Sequence, residues 1–175
     1  MQAVLLRGGL RRLGRQTELR DENAQYLAAG LKKIGGPLRA ARRDPRITRQ
    51  AYYAMTFVFD LAQAGGVTKD EYARALAAEH CSLGGTYWPV YASPLLNLYD
   101  ATSPVPFRDP KTIQNYRALK LPNVEKAFKE TALVMMHQHL LGSRGYLNQL
   151  LQAIAKVNDN LGRVQALCRE TATGK

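Results

Sequence analysis

The chain has 175 residues, of which 46% are hydrophobic, and its formal net charge is +11. This length is typical of one domain, and the apolar content is sufficient for a real core. No stretch approaches the length of a membrane span, and the first apolar run, 3–6, is too short for a signal peptide. These features exclude a membrane protein and leave an acidic partner or a phosphorylated ligand open as a reason for the charge.

The two cysteines, Cys81 and Cys168, lie far apart in unrelated contexts. They indicate neither a disulfide framework nor a metal site, and we expect a cytoplasmic protein. Residues 1–17 contain four arginines and no acidic residue, which is also typical of a mitochondrial presequence. The same pattern continues past Thr17 with acidic residues interleaved, so an ordinary helix is the favoured interpretation.

The first 34 residues follow a helical pattern, with apolar residues three and four apart and charged residues between them. We expect a long helix over 3–34, interrupted at Gly8-Gly9, because each glycine costs about 1 kcal/mol relative to alanine. Gly35-Gly36-Pro37 ends the helix. Residues 38–50 are expected to form a basic connector.

Residues 51–59, AYYAMTFVF, are rich in aromatic and branched side chains and predict a strand. Thr68 and Glu71 have the spacing of a capping box, which predicts a helix from there to about Glu79. A second short strand is expected near 81–83. Residues 84–110 contain many prolines and aromatic residues with little periodicity, which predicts a long functional or docked loop. Residues 113–119 are expected to form a short helix.

The stretch 121–157 predicts a helix, a short strand, a loop and a second helix. Pro122 suits a first helical turn, and the uninterrupted apolar run 132–136 is typical of a strand covered on both faces. Ser143 is a suitable N-cap for the second helix, whose apolar residues share one face. Residues 158–175 are expected to continue as helix and to fray at the end.

Together these elements predict a two-layer α/β or α+β domain with a small three-stranded sheet and packed helices. We divide the chain into a long interdomain helix, 1–37, and a small C-terminal α/β domain, 38–175, with the Pro/aromatic loop at 84–110.

Five segments in this order cover nearly the whole chain: QAVLL…LRRLGRQTELRDENAQYLAAGLKKI, RRDPRITRQAYYAMTFVFD, GGVTKDEYARALAAE, GGTYWPVYASPLL and LPNVEKAFKETALVMMHQHLLG. They resemble the C-terminal part of the DegT/DnrJ/EryC1/StrS aminotransferases. Members of that family are pyridoxal-phosphate enzymes that often aminate nucleotide-linked keto-sugars or cyclitols. The resemblance implies the small C-terminal domain of a fold-type I aminotransferase, with a long helix that enters it from the large domain.

The resemblance also implies which parts of a complete enzyme are missing. In that family the Schiff-base lysine and the groups that hold pyridoxal phosphate lie in the large domain, ahead of Gln2. No lysine of this chain stands in a matching motif or shows a desolvated context: the lysines at 32, 33, 126 and 129 lie on polar helix faces, and Lys69 is in a capped first turn. We expect the chain alone to bind no cofactor and not to transaminate, and its partner to be an N-terminal cofactor domain or a second subunit.

Four residues are candidates for contacts with the substrate by this resemblance: Tyr87, Trp88, Tyr91 and His137. The three aromatic residues either contact a keto-sugar or the neighbouring subunit, or anchor the long loop to the sheet. His137 matches a histidine that often follows the family's apolar strand, although Met136 stands where proline is common. The alternative role is a strand-end histidine bonded to the backbone, as is expected for His139.

Other combinations point to structure more than to chemistry. His137 and His139 lack a third metal ligand of matching spacing. Cys81 follows His80, but neighbours in a strand point to opposite faces, so a core cysteine is expected. The arginines of the connector can bind phosphates, but a solvated connector is favoured; they are Arg39, Arg42, Arg43, Arg46 and Arg49. The alternative function is a non-catalytic interaction module that binds an anionic partner, other than nucleic acid or a membrane, through its basic N-terminal third.

Overall fold

The computed structural model describes residues 2–93 and 118–172, with the side chains of 171 and 172 left out. Five helices and four strands follow in the order α1 (Gln2–Ile34), β1 (Leu38–Ala40), β2 (Ala54–Phe59), α2 (Lys69–Ala78), β3 (Gly84–Gly85), α3 (Pro122–Lys126), β4 (Ala132–Met136), α4 (Arg144–Asp159) and α5 (Leu161–Ala172). The residues predicted as a loop over 94–110, and most of the helix predicted over 113–119, lie outside the described part.

The described strands form one antiparallel sheet in the order β1-β2-β4-β3. Helices α1, α2 and α4 cover one of its faces, and the core lies between them. Met55, Phe57 and Phe59 alternate along β2 and point into this core, as the period of a half-buried strand requires. The predicted two-layer α/β class is confirmed.

The sheet has four strands, so the predicted number of three is wrong. The strand missed is β1, which lies inside the segment predicted as a basic connector and pairs Leu38–Ala40 with Phe57–Phe59. It has only three residues at the sheet edge, too few for the sequence to show an alternation. The strand expected near 81–83 lies instead at Gly84–Gly85, which pairs with β4. Cys81 and Leu83, just ahead of this strand, are buried in the core and do not pair with β4.

Strand β4 is covered on one face only, in contrast to the predicted strand buried on both sides. Leu133 and Met135 are buried against the helices, whereas Met136 is 38% exposed on the opposite face. The five-residue apolar run is uninterrupted, so its pattern could not distinguish these two cases. The face of the sheet away from the helices is therefore open in the described part of the chain.

Helix α1 runs through Gly8, Gly9 and Gly14 without the predicted interruption. Its second half packs into the core through Ala24, Leu27 and Leu31, which are all buried. Its first half carries exposed apolar residues: Val4, Leu5, Leu6, Leu10 and Leu13. The division of the chain at residue 37 stays a prediction, but the second half of α1 belongs to the same core as the sheet.

Two predicted helix caps are confirmed. The Thr68 side chain accepts from the Glu71 backbone, and the Glu71 carboxylate accepts from the Thr68 backbone N–H at 2.8 Å. Ser143 accepts from the backbone N–H of Tyr146 and begins α4. Among the described helices, none combines the length and the apolar character that crossing a membrane requires.

Candidate functional site

Aromatic side chains gather on the open face of the sheet, where β2 begins and the chain leaves β3. The hydroxyl oxygens of Tyr53 and Tyr87 are 2.5 Å apart, within hydrogen-bond distance. Their rings stack with centroids 6.5 Å apart. Both side chains are otherwise exposed, Tyr53 by 63% and Tyr87 by 77%. A pair of large, exposed, mutually bonded tyrosines contributes little to the core and marks this face as a contact surface.

The other two predicted aromatic residues lie against the segment before β4. The Trp88 ring packs on the Phe128 ring with centroids 5.4 Å apart, and the Trp88 side chain remains 67% exposed. The Tyr91 hydroxyl donates to the Glu125 carboxylate at 3.2 Å. Trp88 and Tyr91 therefore anchor the chain after β3 to α3 and the π-helical turn that follows it, while Tyr87 points to β2.

We use the name aromatic groove for the depression on the open face of β2, β3 and β4, which has a volume of about 460 Å³. Its described lining consists of Tyr53, Ala54, Thr56, Gly85, Thr86, Tyr87, Val134 and Met136. The lining is mostly apolar and carries hydroxyl groups but no charged side chain within residues 2–93 and 118–172. This volume and this mixture of apolar and polar groups are typical of a site for a small molecule.

His137 lies at the end of β4, next to the aromatic groove. Its backbone N–H donates to the Tyr53 carbonyl at 3.3 Å, which holds the histidine beside the start of β2. Its buried Nδ1 atom has no hydrogen-bond partner among the described residues. His139 points elsewhere, with Nδ1 bonded to the Tyr146 hydroxyl. The two histidines do not form a pair, and the described residues contain no cluster of metal-ligating side chains.

The Tyr53 side chain contacts Tyr87, and the Tyr53 carbonyl accepts from the backbone N–H of His137, whose side chain is not part of the described lining of the groove. The sequence analysis did not select Tyr53. The alternation of Met55, Phe57 and Phe59 would place Tyr53 in the core. A bend at Tyr53 instead turns its ring to the open face before the strand begins at Ala54. The only signal for Tyr53 in the sequence was its position beside Tyr52 at the start of an aromatic strand. That position did not indicate whether its ring faces the core or the open face of the sheet.

Lys69 is the second residue that the sequence analysis missed, and the expectation that no lysine is desolvated is wrong at this position. Lys69 is buried, with 5% of its surface exposed, and its Nζ donates to the Phe128 carbonyl at 2.5 Å. The carbonyl belongs to the π-helical turn Ala127–Thr131, which leads directly into β4. Backbone carbonyls at such a turn lack regular helical donors, and Lys69 supplies one.

The arginines of the connector were predicted to be solvated, and two of them instead attach it to α1. Arg43 forms an ion pair with the buried Asp21, which also accepts from the Gln50 backbone N–H at 3.2 Å. The hydrogen bond to Asp21 raises the pKa of Arg43. Arg49 pairs with Glu18 at 2.6 Å. These carboxylates occupy guanidinium groups that a phosphate would otherwise bind.

Cys81 is a core residue with a 1% exposed side chain, and its neighbour His80 points to solvent. This geometry agrees with the structural interpretation of the cysteine. Burial raises the pKa of the Cys81 thiol to about 11, and a protonated thiol is a poor nucleophile.

We therefore expect Cys81 to resist alkylation while the chain is folded. In the Cys168→Ala variant at pH 7.5, the Cys81 thiol should react at least about a hundredfold more slowly in the native chain than in urea. The matched control is Cys81→Ala, which keeps the half-buried Cys168 and should react faster. Equal native rates for the two variants would contradict the assignment of Cys81 to the core.

The fold matches that of one part of known aminotransferase structures. The crystal structure of 3-amino-5-hydroxybenzoic acid synthase superposes with a TM-score of 0.61 at 21% identity, covering 86% of this chain and 36% of that one. The aminotransferase TlmJ from Streptoalloteichus hindustanus superposes with a TM-score of 0.60 at 21% identity, covering 87% of this chain and 34% of TlmJ. The likeness establishes the fold.

Sequence relatives point to the same class of enzyme. A protein of Streptomyces kanamyceticus named L-glutamine:3-amino-2,3-dideoxy-scyllo-inosose aminotransferase is 32% identical over 169 residues, which are 92% of this chain and 39% of the relative. A protein of the same name from Micromonospora echinospora is 30% identical over 168 residues, 94% of this chain and 40% of the relative. No family model matches the chain. The chain thus spans about two fifths of the length of aminotransferases to which it is similar.

Proposed function

We propose that this chain is the C-terminal, substrate-side part of a pyridoxal-phosphate-dependent aminotransferase of the DegT/DnrJ/EryC1/StrS type, acting on a sugar or cyclitol ketone. The observation that carries the proposal is the aromatic groove on the open face of the sheet. The fold that carries this groove matches about one third of the length of two aminotransferase structures. The names of the sequence relatives support a cyclitol ketone as acceptor and glutamine as amino donor.

The described residues do not fit pyridoxal phosphate. No lysine lines the aromatic groove, and the buried Lys69 is committed to the Phe128 carbonyl. Lys32, Lys33 and Lys126 are exposed on helices, whereas a Schiff-base lysine needs a desolvated site. The cofactor therefore has to be held by a segment other than the described part of this chain, and the role of this part is to bind and orient the substrate.

Two exposed surfaces support a partner segment. One is the first half of α1, where Leu6, Leu10 and Leu13 are exposed. They lie on the same face of the helix as Ala24 and Leu31, which are buried in the core. The other is the open face of the sheet. Large apolar surfaces exposed by one polypeptide are typical of faces that another domain or subunit covers.

Reconstitution tests this function directly. We expect the chain, mixed with the segment of the Streptomyces kanamyceticus relative that it does not match, to form a complex and restore glutamine-dependent amination of a cyclitol ketone. Each half alone should be inactive, because transfer needs both the cofactor and an oriented substrate. Product formation is followed by mass spectrometry. A stable complex that binds pyridoxal phosphate but aminates no sugar or cyclitol ketone would contradict the proposal.

The alternative function, an interaction module for an anionic partner, rests on the groove beside α1 that Arg11, Arg12 and Arg15 line. These guanidinium groups stand next to apolar Leu19 and Leu141. Under this alternative, the isolated chain should bind an acidic peptide with a dissociation constant that rises steeply with salt. Replacing the three arginines by glutamine should abolish that binding and leave reconstituted amination unchanged.

A further inference from the structure

We propose that Tyr53 is a positioning residue that holds Tyr87 as one wall of the aromatic groove, and that the groove takes an uncharged polyhydroxylated ring in preference to a phosphorylated or nucleotide-linked one. The identity of this groove as the substrate side rests on the proposed function. The geometry below carries the role of Tyr53 and the class of ligand.

The position of Tyr87 depends on Tyr53. Tyr87 follows the two-residue strand β3, a short support for a large side chain, and 77% of its surface is exposed. The contacts that hold its ring are the hydroxyl–hydroxyl bond of 2.5 Å and the ring stacking with Tyr53. Tyr53 is itself fixed through its backbone carbonyl, which accepts from the His137 N–H. Tyr53 thus connects the ends of β2 and β4 to the chain after β3.

The chemistry of the described lining selects the ligand. The side chains that surround the groove are aromatic, aliphatic or hydroxyl-bearing, and all are uncharged. The hydrogen bond to Tyr53 raises the pKa of the Tyr87 hydroxyl. Aromatic faces pack against the C–H faces of a saturated ring, and the hydroxyl groups of Thr56 and Thr86 can bond ring hydroxyls.

A phosphate in the groove would be unfavourable. A phosphate brings one to two negative charges, and removing an ionised group from water without a cation costs far more than removing a hydroxyl. The paired guanidinium groups of Arg43 and Arg49 belong to the connector and are held by carboxylates of α1. The described lining therefore favours a free cyclitol or sugar over a nucleotide-linked one.

A binding titration of the purified chain tests the inference. Binding is measured by isothermal titration calorimetry, and the fluorescence of Trp88, the only tryptophan in the sequence, is a second readout because Trp88 follows Tyr87 directly. The probes are scyllo-inositol, which is a neutral ring, and myo-inositol 1-phosphate, a ring of the same size with one phosphate. We expect saturable binding of the neutral ring and at least about tenfold weaker binding of the phosphate, equivalent to about 1.4 kcal/mol.

The Tyr53→Phe variant separates positioning from packing, because it removes one hydroxyl and keeps the ring. Loss of one hydrogen bond should weaken scyllo-inositol binding about three- to tenfold without changing the unfolding midpoint. The matched control is Tyr26→Phe, which removes a hydroxyl bonded to Asn148 at 2.5 Å on the helical side of the sheet. That variant should bind like the wild type.

Several outcomes would overturn the inference: no saturable binding of scyllo-inositol, equal or tighter binding of the phosphate, or wild-type affinity in Tyr53→Phe. These outcomes are independent of amino transfer. Binding of the neutral ring without reconstituted amination would contradict only the proposed function. If the reconstituted enzyme aminates a cyclitol ketone but the chain binds neither probe, only the inference would be contradicted.

Discussion

The Asn23→Asp variant is expected to be about 3 kcal/mol less stable than the wild type at pH 7, although the two side chains have nearly the same shape. Asn23 is 1% exposed and donates from Nδ2 to the carbonyls of Leu140 and Gly142, at 2.8 and 3.0 Å. A carboxylate has no donor and would face two carbonyl oxygens in a buried site. Lost hydrogen bonds to buried groups cost about 1–3 kcal/mol, and the unpaired charge adds to this.

Chemical denaturation at several pH values checks this prediction. The new carboxyl group should have a folded-state pKa above its ordinary value of about 3.9, because burial favours its neutral form, which can donate one bond. With the folded-state pKa raised, the loss of stability should be smallest below about pH 4 and should grow as pH rises through that raised value.

Asn148→Asp is the matched control, since it makes the same chemical change at an exposed position. Asn148 accepts a hydrogen bond from Tyr26 through Oδ1, and a carboxylate can accept the same bond. Its effect should stay within about 0.5 kcal/mol. If Asn23→Asp were as stable as this control, Asn23 would not anchor α1 to the turn 137–141 that begins with His137.

The Lys69→Met variant is expected to lose about 2 kcal/mol of stability and to loosen the support of Trp88. Methionine keeps most of the aliphatic stem but cannot donate to the Phe128 carbonyl, and a hydrogen bond from a charged group contributes about 1.5–3 kcal/mol. The Phe128 ring carries Trp88. We therefore expect a lower unfolding free energy together with a lower fluorescence anisotropy of Trp88 in the folded chain.

Lys156→Met is the control for a lost lysine charge. Lys156 forms an exposed ion pair with Glu79 at 2.8 Å, and such pairs contribute about 0–1 kcal/mol. Removing a buried charge can also relieve its desolvation cost. If Lys69→Met were as stable as Lys156→Met, with unchanged Trp88 anisotropy, the hydrogen bond to the Phe128 carbonyl would not contribute to stability. The buried aliphatic stem alone would then explain why Lys69 is buried.

The candidate site was predictable in part. Tyr87 and Trp88 were selected because their stretch resembles a substrate-side loop of the aminotransferase family, and both side chains are exposed in the structure. Tyr53 could not be selected, since its parity in the strand indicates the core and only a local bend turns it outward. Their roles as substrate contacts, together with those of Tyr91 and His137, stay predictions.

Local chemistry in the sequence determined the helices, their caps and the two main strands. The capping box at Thr68 and the Ser143 cap act within one turn, and the apolar period of α4 reports directly which face is buried. These signals depend on neighbours within about four residues, so they can be read without the fold.

Only the tertiary structure decided features that depend on distant residues. Strand β1 exists because β2 offers an edge to pair with, and β4 is half open because the helices cover one face. Lys69 is buried because the turn at Phe128, 59 residues away, presents a carbonyl to it. Burial and pairing are properties of what the chain meets in space, and no local period encodes them.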